Sequence, residues 1–166
     1  MANPALERDT QLIELAGRNW LASQLQRAGI EVARPDRDRG IDLIAYIDRD
    51  ERVGKLETFV ARPIQVKAAS CKCFSLFPKY EKVPGLILAY VWNLATPSQT
   101  VCFALTYSEA FEVARQMKYT ETPSWLTGGR HERRGYTTTS PKGRLLGLLA
   151  QYEMNAEKWW AKMRES

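Results

Sequence analysis

The sequence predicts an α/β domain, a central mixed β-sheet flanked by helices, and three observations carry that prediction. Residues 5–28 repeat apolar side chains near helical spacing and stop at Gly29. Two runs rich in β-branched and aromatic residues, 41–47 and 59–66, flank the turn-like segment 49–54, so a hairpin is the simplest link. Residues 86–92 are the most apolar run of the chain and suit a strand buried on both faces.

The chain's 166 residues suffice for one domain with a real core, and no Gly/Ser-rich or low-complexity linker divides them. With 45% hydrophobic and 26% charged residues the balance is that of a globular protein rather than a disordered one. No apolar run approaches the roughly 18 residues of a membrane span. The start, Met1-Ala2-Asn3-Pro4 followed by Glu7 and Asp9, lacks the basic and apolar regions of a signal peptide. A cytoplasmic protein without a membrane partner is expected. The net charge of +5 is compatible with a polyanionic partner, although basic charge also serves solubility alone. Cys71, Cys73 and Cys102 have neither zinc-ribbon nor redox spacing and read as reduced structural thiols.

In chain order, Leu6, Ile13, Ala16, Trp20, Leu21 and Leu25 mark the buried stripe of the first helix. Glu14 and Arg18 lie one turn apart on it, either as a surface ion pair or with Glu14 serving a site. A short strand at 30–33 precedes the charged loop 34–40, where Gly40 suits a tight turn just ahead of Asp42. A hairpin turning between Val53 and Gly54 pairs positions equidistant from that point, which sets Asp42 across from Gln65. Lys67 shares a face with Gln65 because strand side chains alternate. Pro63 lacks a donor and suggests a bulge or an unpaired edge position, able to shift this register by one.

Residues 68–83 mix Lys72, Lys79 and Lys82 with Phe74, Phe77 and Tyr80, and can hold a short turn or helix. These aromatics either pack or stack on bases beside phosphate-binding lysines. After the strand at 86–92, residues 96–99 turn and 100–105 pair back as another strand. Ser108 is the expected N-cap of a helix over 109–118, with Phe111 and Val113 inward. The glycine-flanked loop 125–136 holds Arg130, Arg133 and Arg134, suited either to phosphate or to plain solvation, and the chain's single histidine, His131, for which no general-base partner is evident. Residues 136–139 are β-prone. Ser140-Pro141 signals a helix start, and Leu145, Leu148, Leu149 and Tyr152 mark one face of a C-terminal helix running towards Trp159, Trp160 and Met163. The two tryptophans read as packing or as a dimer surface.

A helix glutamate, a strand aspartate and an x-Lys pair on the next strand, here Glu14, Asp42, Gln65 and Lys67, resemble the site of the PD-(D/E)xK nuclease superfamily, whose restriction-endonuclease-like fold is shared with archaeal Holliday-junction resolvases. The resemblance covers residues 14–67. Gln65 stands where the commonest pattern has Glu or Asp, and the Gln-x-Lys version resembles the Mrr-like restriction branch. The resemblance implies a metal-dependent endonuclease acting on DNA, with magnesium, or manganese in its place, held by Asp42, the Gln65 amide oxygen, the Val66 carbonyl and Glu14. Lys67 is then expected to orient the attacking water or stabilise the transition state. Arg39, Lys72, Lys79, Arg130, Arg133 and Arg134 are the nucleic-acid-binding candidates, and cutting both strands invites a homodimer. Two alternatives stand beside this: a nuclease-fold domain that has lost cleavage and binds nucleic acid or a protein, and a bare cross-strand salt bridge between Asp42 and Lys67.

Overall fold

A computed structural model of the chain describes residues 9–37, 39–48, 59–128, 133–139 and 141–164. The first helix, α1 (Thr10–Arg27), is capped by Asp9, whose carboxylate accepts from the backbone N–H groups of Gln11 at 2.9 Å and Leu12 at 3.2 Å. It buries Ile13, Leu21 and Leu25 of the predicted stripe together with Gly17 and Ala22; Ala16 and Trp20 are half-buried, and Leu6 lies outside the described residues. Gly29, at φ +77°, takes the left-handed turn that ends it.

Five strands form the main sheet in the order β1, β2, β3, β5, β6: β1 (Glu31–Ala33), β2 (Leu43–Asp48), β3 (Phe59–Ala68), β5 (Ile87–Trp92) and β6 (Val101–Thr106). β3 and β5 run parallel and the other neighbours antiparallel, so the sheet is mixed, as expected. Leu43 pairs with Ile64 and Ile44 with Pro63, the register that a turn between Val53 and Gly54 demands. The turn itself lies outside the described residues. Pro63 makes no bulge and shifts nothing. β5 begins at Ile87 opposite Ile64, so Pro63 has a neighbour only on the β2 side, and its missing donor leaves no gap in the sheet.

All six residues of β5 are buried. Ile87, Ala89 and Val91 face a core shared with α1 and with α5 (Ala156–Arg164), whereas Leu88, Tyr90 and Trp92 face a second core under α2 (Tyr107–Gln116), α3 (Pro123–Thr127) and α4 (Arg144–Leu149). The segment 68–83, expected to hold a turn or helix, holds a strand as well. β4 (Phe74–Leu76) pairs with β7 (Tyr136–Thr138) in a separate two-stranded sheet, and a 3-10 turn over Pro78–Lys82 follows. Its position comes from polar tips on β5: the Tyr90 hydroxyl donates to the Ser75 carbonyl at 2.8 Å and the Trp92 indole N–H to that of Cys73. Buried aromatics with a polar tip need such a partner.

Three further expectations are corrected. Ser108 does not cap α2. Thr106 does, its hydroxyl accepting from the Glu109 N–H at 3.2 Å while the Glu109 carboxylate accepts from the Thr106 N–H at 2.7 Å. Pro141 lies outside α4, which starts only after Gly143 at φ +52°, and Ser140 lies outside the described residues. The C-terminal helix is not continuous either: Met154 donates its N–H to the Cys102 carbonyl at 2.9 Å, Glu153 bridges to Phe103, and Asn155 then caps α5 through the Lys158 N–H. Edge contacts with β6 interrupt the helix. Trp159 is buried in the α1–α5 core and the Trp160 indole donates to the Ala28 carbonyl at the end of α1, so both tryptophans take part in internal packing. Among the described residues no helix is long and apolar enough to cross a membrane.

Candidate functional site

β2 begins at Leu43, so the last residues of β3 lie beyond its reach and one edge of β3 is vacated there. Asp42 fills part of the gap. Its N–H donates to the Ile64 carbonyl at 2.8 Å, and its Oδ2 accepts from the Val66 N–H at 2.7 Å, a donor that would otherwise seek a strand partner. Gln65 is buried, and its amide nitrogen donates both to Asp42 Oδ2 and to the Val66 carbonyl, the latter at 3.2 Å. Two oxygens of the chain therefore converge on one donor. Gly40, at φ +84°, makes the turn that delivers Asp42, and a β-carbon there would lie 3.5 Å from the Gln65 amide oxygen.

α1 approaches this edge from the other side. Gly17 packs against Ala68 so closely that a β-carbon there would lie 2.4 Å from that of Ala68. Only glycine permits the contact. It brings Glu14 and Arg18, on either side of Gly17 in the helix, over the end of β3. Arg18 Nη1 stands 3.8 Å from Asp42 Oδ1, and its Nε is buried without a hydrogen-bond partner. Arg18 thus pairs with Asp42 and not, as a helix-surface pair would have it, with Glu14.

Lys67 projects from β3 towards the segment that follows β4. Its ammonium lies 4.9 Å from the centre of the Tyr80 ring and 5.5 Å from that of Phe77, and Lys79 lies 5.0 Å from Tyr80 on its own account. Glu14, Arg18, Asp42, Gln65, Val66, Lys67 and Lys79 line a single cavity of about 290 Å³, together with Gly40, Ala68, Cys73, Ser75 and Tyr80. All four residues of the expected constellation meet there. Cys73 lines the cavity as a thiol whose pKa burial pushes up; the nearby Cys71 adds to this and Lys67 opposes it, so the thiolate is disfavoured.

The basic residues expected to bind nucleic acid are not gathered in one place. Lys79 lines the site, while Arg39 and Lys72 are exposed beside it in sequence, next to Gly40 and Cys73. Arg133 lines a cleft with Phe77, Ser124, Gly135 and Tyr136, and Arg134 donates to the Trp125 carbonyl at 3.0 Å along a larger cleft of about 740 Å³ that also holds Arg62 and Lys162. Arg130 and His131 lie outside the described residues. The sequence pairs Arg18 at most with Glu14 and has Phe77 and Tyr80 pack or stack on bases; it does not anticipate their contacts with Asp42 and Lys67. Nothing in the local pattern ties either to Asp42 or Lys67, since both contacts cross between elements.

Among the described residues no cluster of three or more His, Cys, Asp or Glu side chains forms a metal array. The oxygen donors of the residues lining this cavity are the carboxylates of Asp42 and Glu14, the Gln65 amide and the Val66 carbonyl. That is a hard donor set, and it fits magnesium, which keeps several waters and needs only one or two carboxylates. A half-turn of the Gln65 amide replaces its nitrogen by its oxygen at the point where Asp42 and Val66 converge. Compared with models of known protein families, with curated proteins and with solved structures, the chain matches none.

Proposed function

We propose that the chain is a magnesium-dependent nuclease of the PD-(D/E)xK type that hydrolyses phosphodiester bonds in DNA, with Glu14, Asp42, Gln65 and Lys67 as its working residues. One observation carries the reading: the amide nitrogen of Gln65 lies where the Asp42 carboxylate and the Val66 carbonyl converge, in a cavity shared with Glu14 and Lys67. A donor between two acceptors marks a point where positive charge is favoured. Manganese suits the same oxygens.

Asp42, Val66 and a turned Gln65 amide hold the ion, and Glu14 completes the set directly or through water. A bound divalent ion lowers the pKa of its water and offsets charge on the phosphate oxygens. Lys67, clamped over Phe77 and Tyr80, keeps a cation beside the reacting phosphorus, where it orients the water and stabilises charge that develops in the transition state. Lys79 neutralises the substrate backbone from the rim. An amide in place of a carboxylate removes one negative charge from the ion's surroundings, so free magnesium binds weakly and substrate phosphate helps to recruit it.

Incubation of labelled linear and branched DNA with the full chain tests this. Cleavage in magnesium or manganese and none in a chelator is expected, with Lys67→Ala slowing it by about 10²-fold or more while DNA binding persists. No cleavage with either metal rejects the enzyme. The second reading, a domain that binds nucleic acid or a protein without cutting, is favoured by the Asp42 carboxylate already facing Arg18, Gln65 and the Val66 N–H. Retained DNA binding without cleavage is its signature.

A further inference from the structure

Arg18 has no evident place in the scheme above, yet it lies at its centre. Its Nη1 is 3.8 Å from Asp42 Oδ1, an ion pair at long range, and its Nε is buried with no acceptor among the described residues. A guanidinium carries five donors in a fork that matches two oxygens of a carboxylate or phosphate at once. Among the described residues the fork closes on no pair of acceptors. Asp42 cannot close it from this pose, because Oδ2 is committed to Gln65 and Val66 and only Oδ1 faces Arg18.

The charges of the cavity point the same way. Arg18, Lys67 and Lys79 stand against Glu14 and Asp42, three cations to two carboxylates, and a divalent ion adds two more positive charges beside Asp42. Such an ion, seated at Oδ2 with Glu14 turned to it, loosens the hold of Asp42 on the guanidinium by charge repulsion and leaves a substrate phosphate oxygen as the acceptor for the open fork. We propose that Arg18 is a phosphate-binding residue held in reserve: it occupies Asp42 while no divalent ion is present and passes to the substrate's phosphodiester when one binds. This rests on the nuclease reading for the identity of the site. It adds a metal-gated phosphate contact supplied by α1.

The test measures metal and DNA binding, not cleavage. Free Mn²⁺ is followed by electron paramagnetic resonance during titration of the wild type, Arg18→Met and Arg18→Lys. Binding of a labelled DNA duplex is then measured in Ca²⁺ across a salt series. Arg18→Met is expected to bind Mn²⁺ roughly two- to fivefold tighter, the worth of a part-exposed ion pair. It is also expected to bind DNA more weakly, with a salt slope smaller by about 1. Arg18→Lys keeps the charge and restores wild-type Mn²⁺ affinity, a rescue that a merely structural role would not show. Equal or weaker Mn²⁺ binding in Arg18→Met overturns the proposal, and so does unchanged DNA affinity. If these effects hold while the wild type cuts nothing, hydrolysis fails and the Arg18 assignment survives. If cleavage is robust and Arg18→Met behaves as wild type, the reverse is concluded.

Discussion

Gln65 is the residue on which the proposed chemistry turns, because an amide can stabilise Asp42 with or without a metal and a carboxylate cannot. In Gln65→Glu the donor to Asp42 and Val66 is lost and a second negative charge is buried against the first. Without a divalent ion this variant is expected to be less stable by about 1–3 kcal/mol, read from urea unfolding in chelator, and to regain most of that loss in magnesium. Equal stability in chelator and magnesium would show that no cation sits between the two side chains. The pairing of Asp42 with Gln65 was legible in the sequence because strand alternation and a central turn are local rules. Arg18 was not, since its partner lies across a helix–sheet contact. Its helical spacing from Glu14 suggested a different pair.

At the scale of elements, α1, β1, β2, β3, β5 and β6 all follow from periodicity and punctuation. Three short or terminal features do not. β4 is three residues long and its partner β7, expected from the β-prone residues 136–139, lies some 60 residues further on, so β4 carries too little local signal, and hydrogen bonds from Tyr90 and Trp92 determine where it rests. The break before α5 arises from contacts with β6 that no helical pattern anticipates. At α2 two hydroxyl residues two positions apart, Thr106 and Ser108, could cap, and Thr106 wins because Glu109 stands three residues on and returns the bond. Thr106→Ala is therefore expected to cost about 1 kcal/mol and Ser108→Ala close to nothing, measured as shifts in the urea midpoint. Comparable losses from both would contradict the capping box.

For the whole molecule, the two cores on opposite faces of the sheet hold acidic hydrogens that burial keeps in place. The Cys102 thiol and Tyr90 hydroxyl are pushed well above their ordinary ranges by burial, and Cys73 is raised more modestly for the same first reason. Below about pH 8 both folded and unfolded chains keep these protons. Above it the unfolded chain releases them first and so binds fewer. Stability is then expected to hold at neutral pH and to fall progressively as pH rises through the ordinary thiol and phenol ranges, as urea unfolding between pH 7 and 10 would reveal. A flat profile would mean that these groups ionise freely in the fold.

The central claim is that Asp42, Gln65 and Val66 surround a cation position at the vacated edge of β3, and anomalous diffraction from crystals of the chain soaked in manganese tests it most directly. One peak is predicted in the cavity lined by Glu14 and Lys67, bonded to the Asp42 carboxylate and the Val66 carbonyl, with the Gln65 amide turned to present its oxygen. No peak there under saturating manganese, with the Gln65 nitrogen still donating to Asp42, would contradict it.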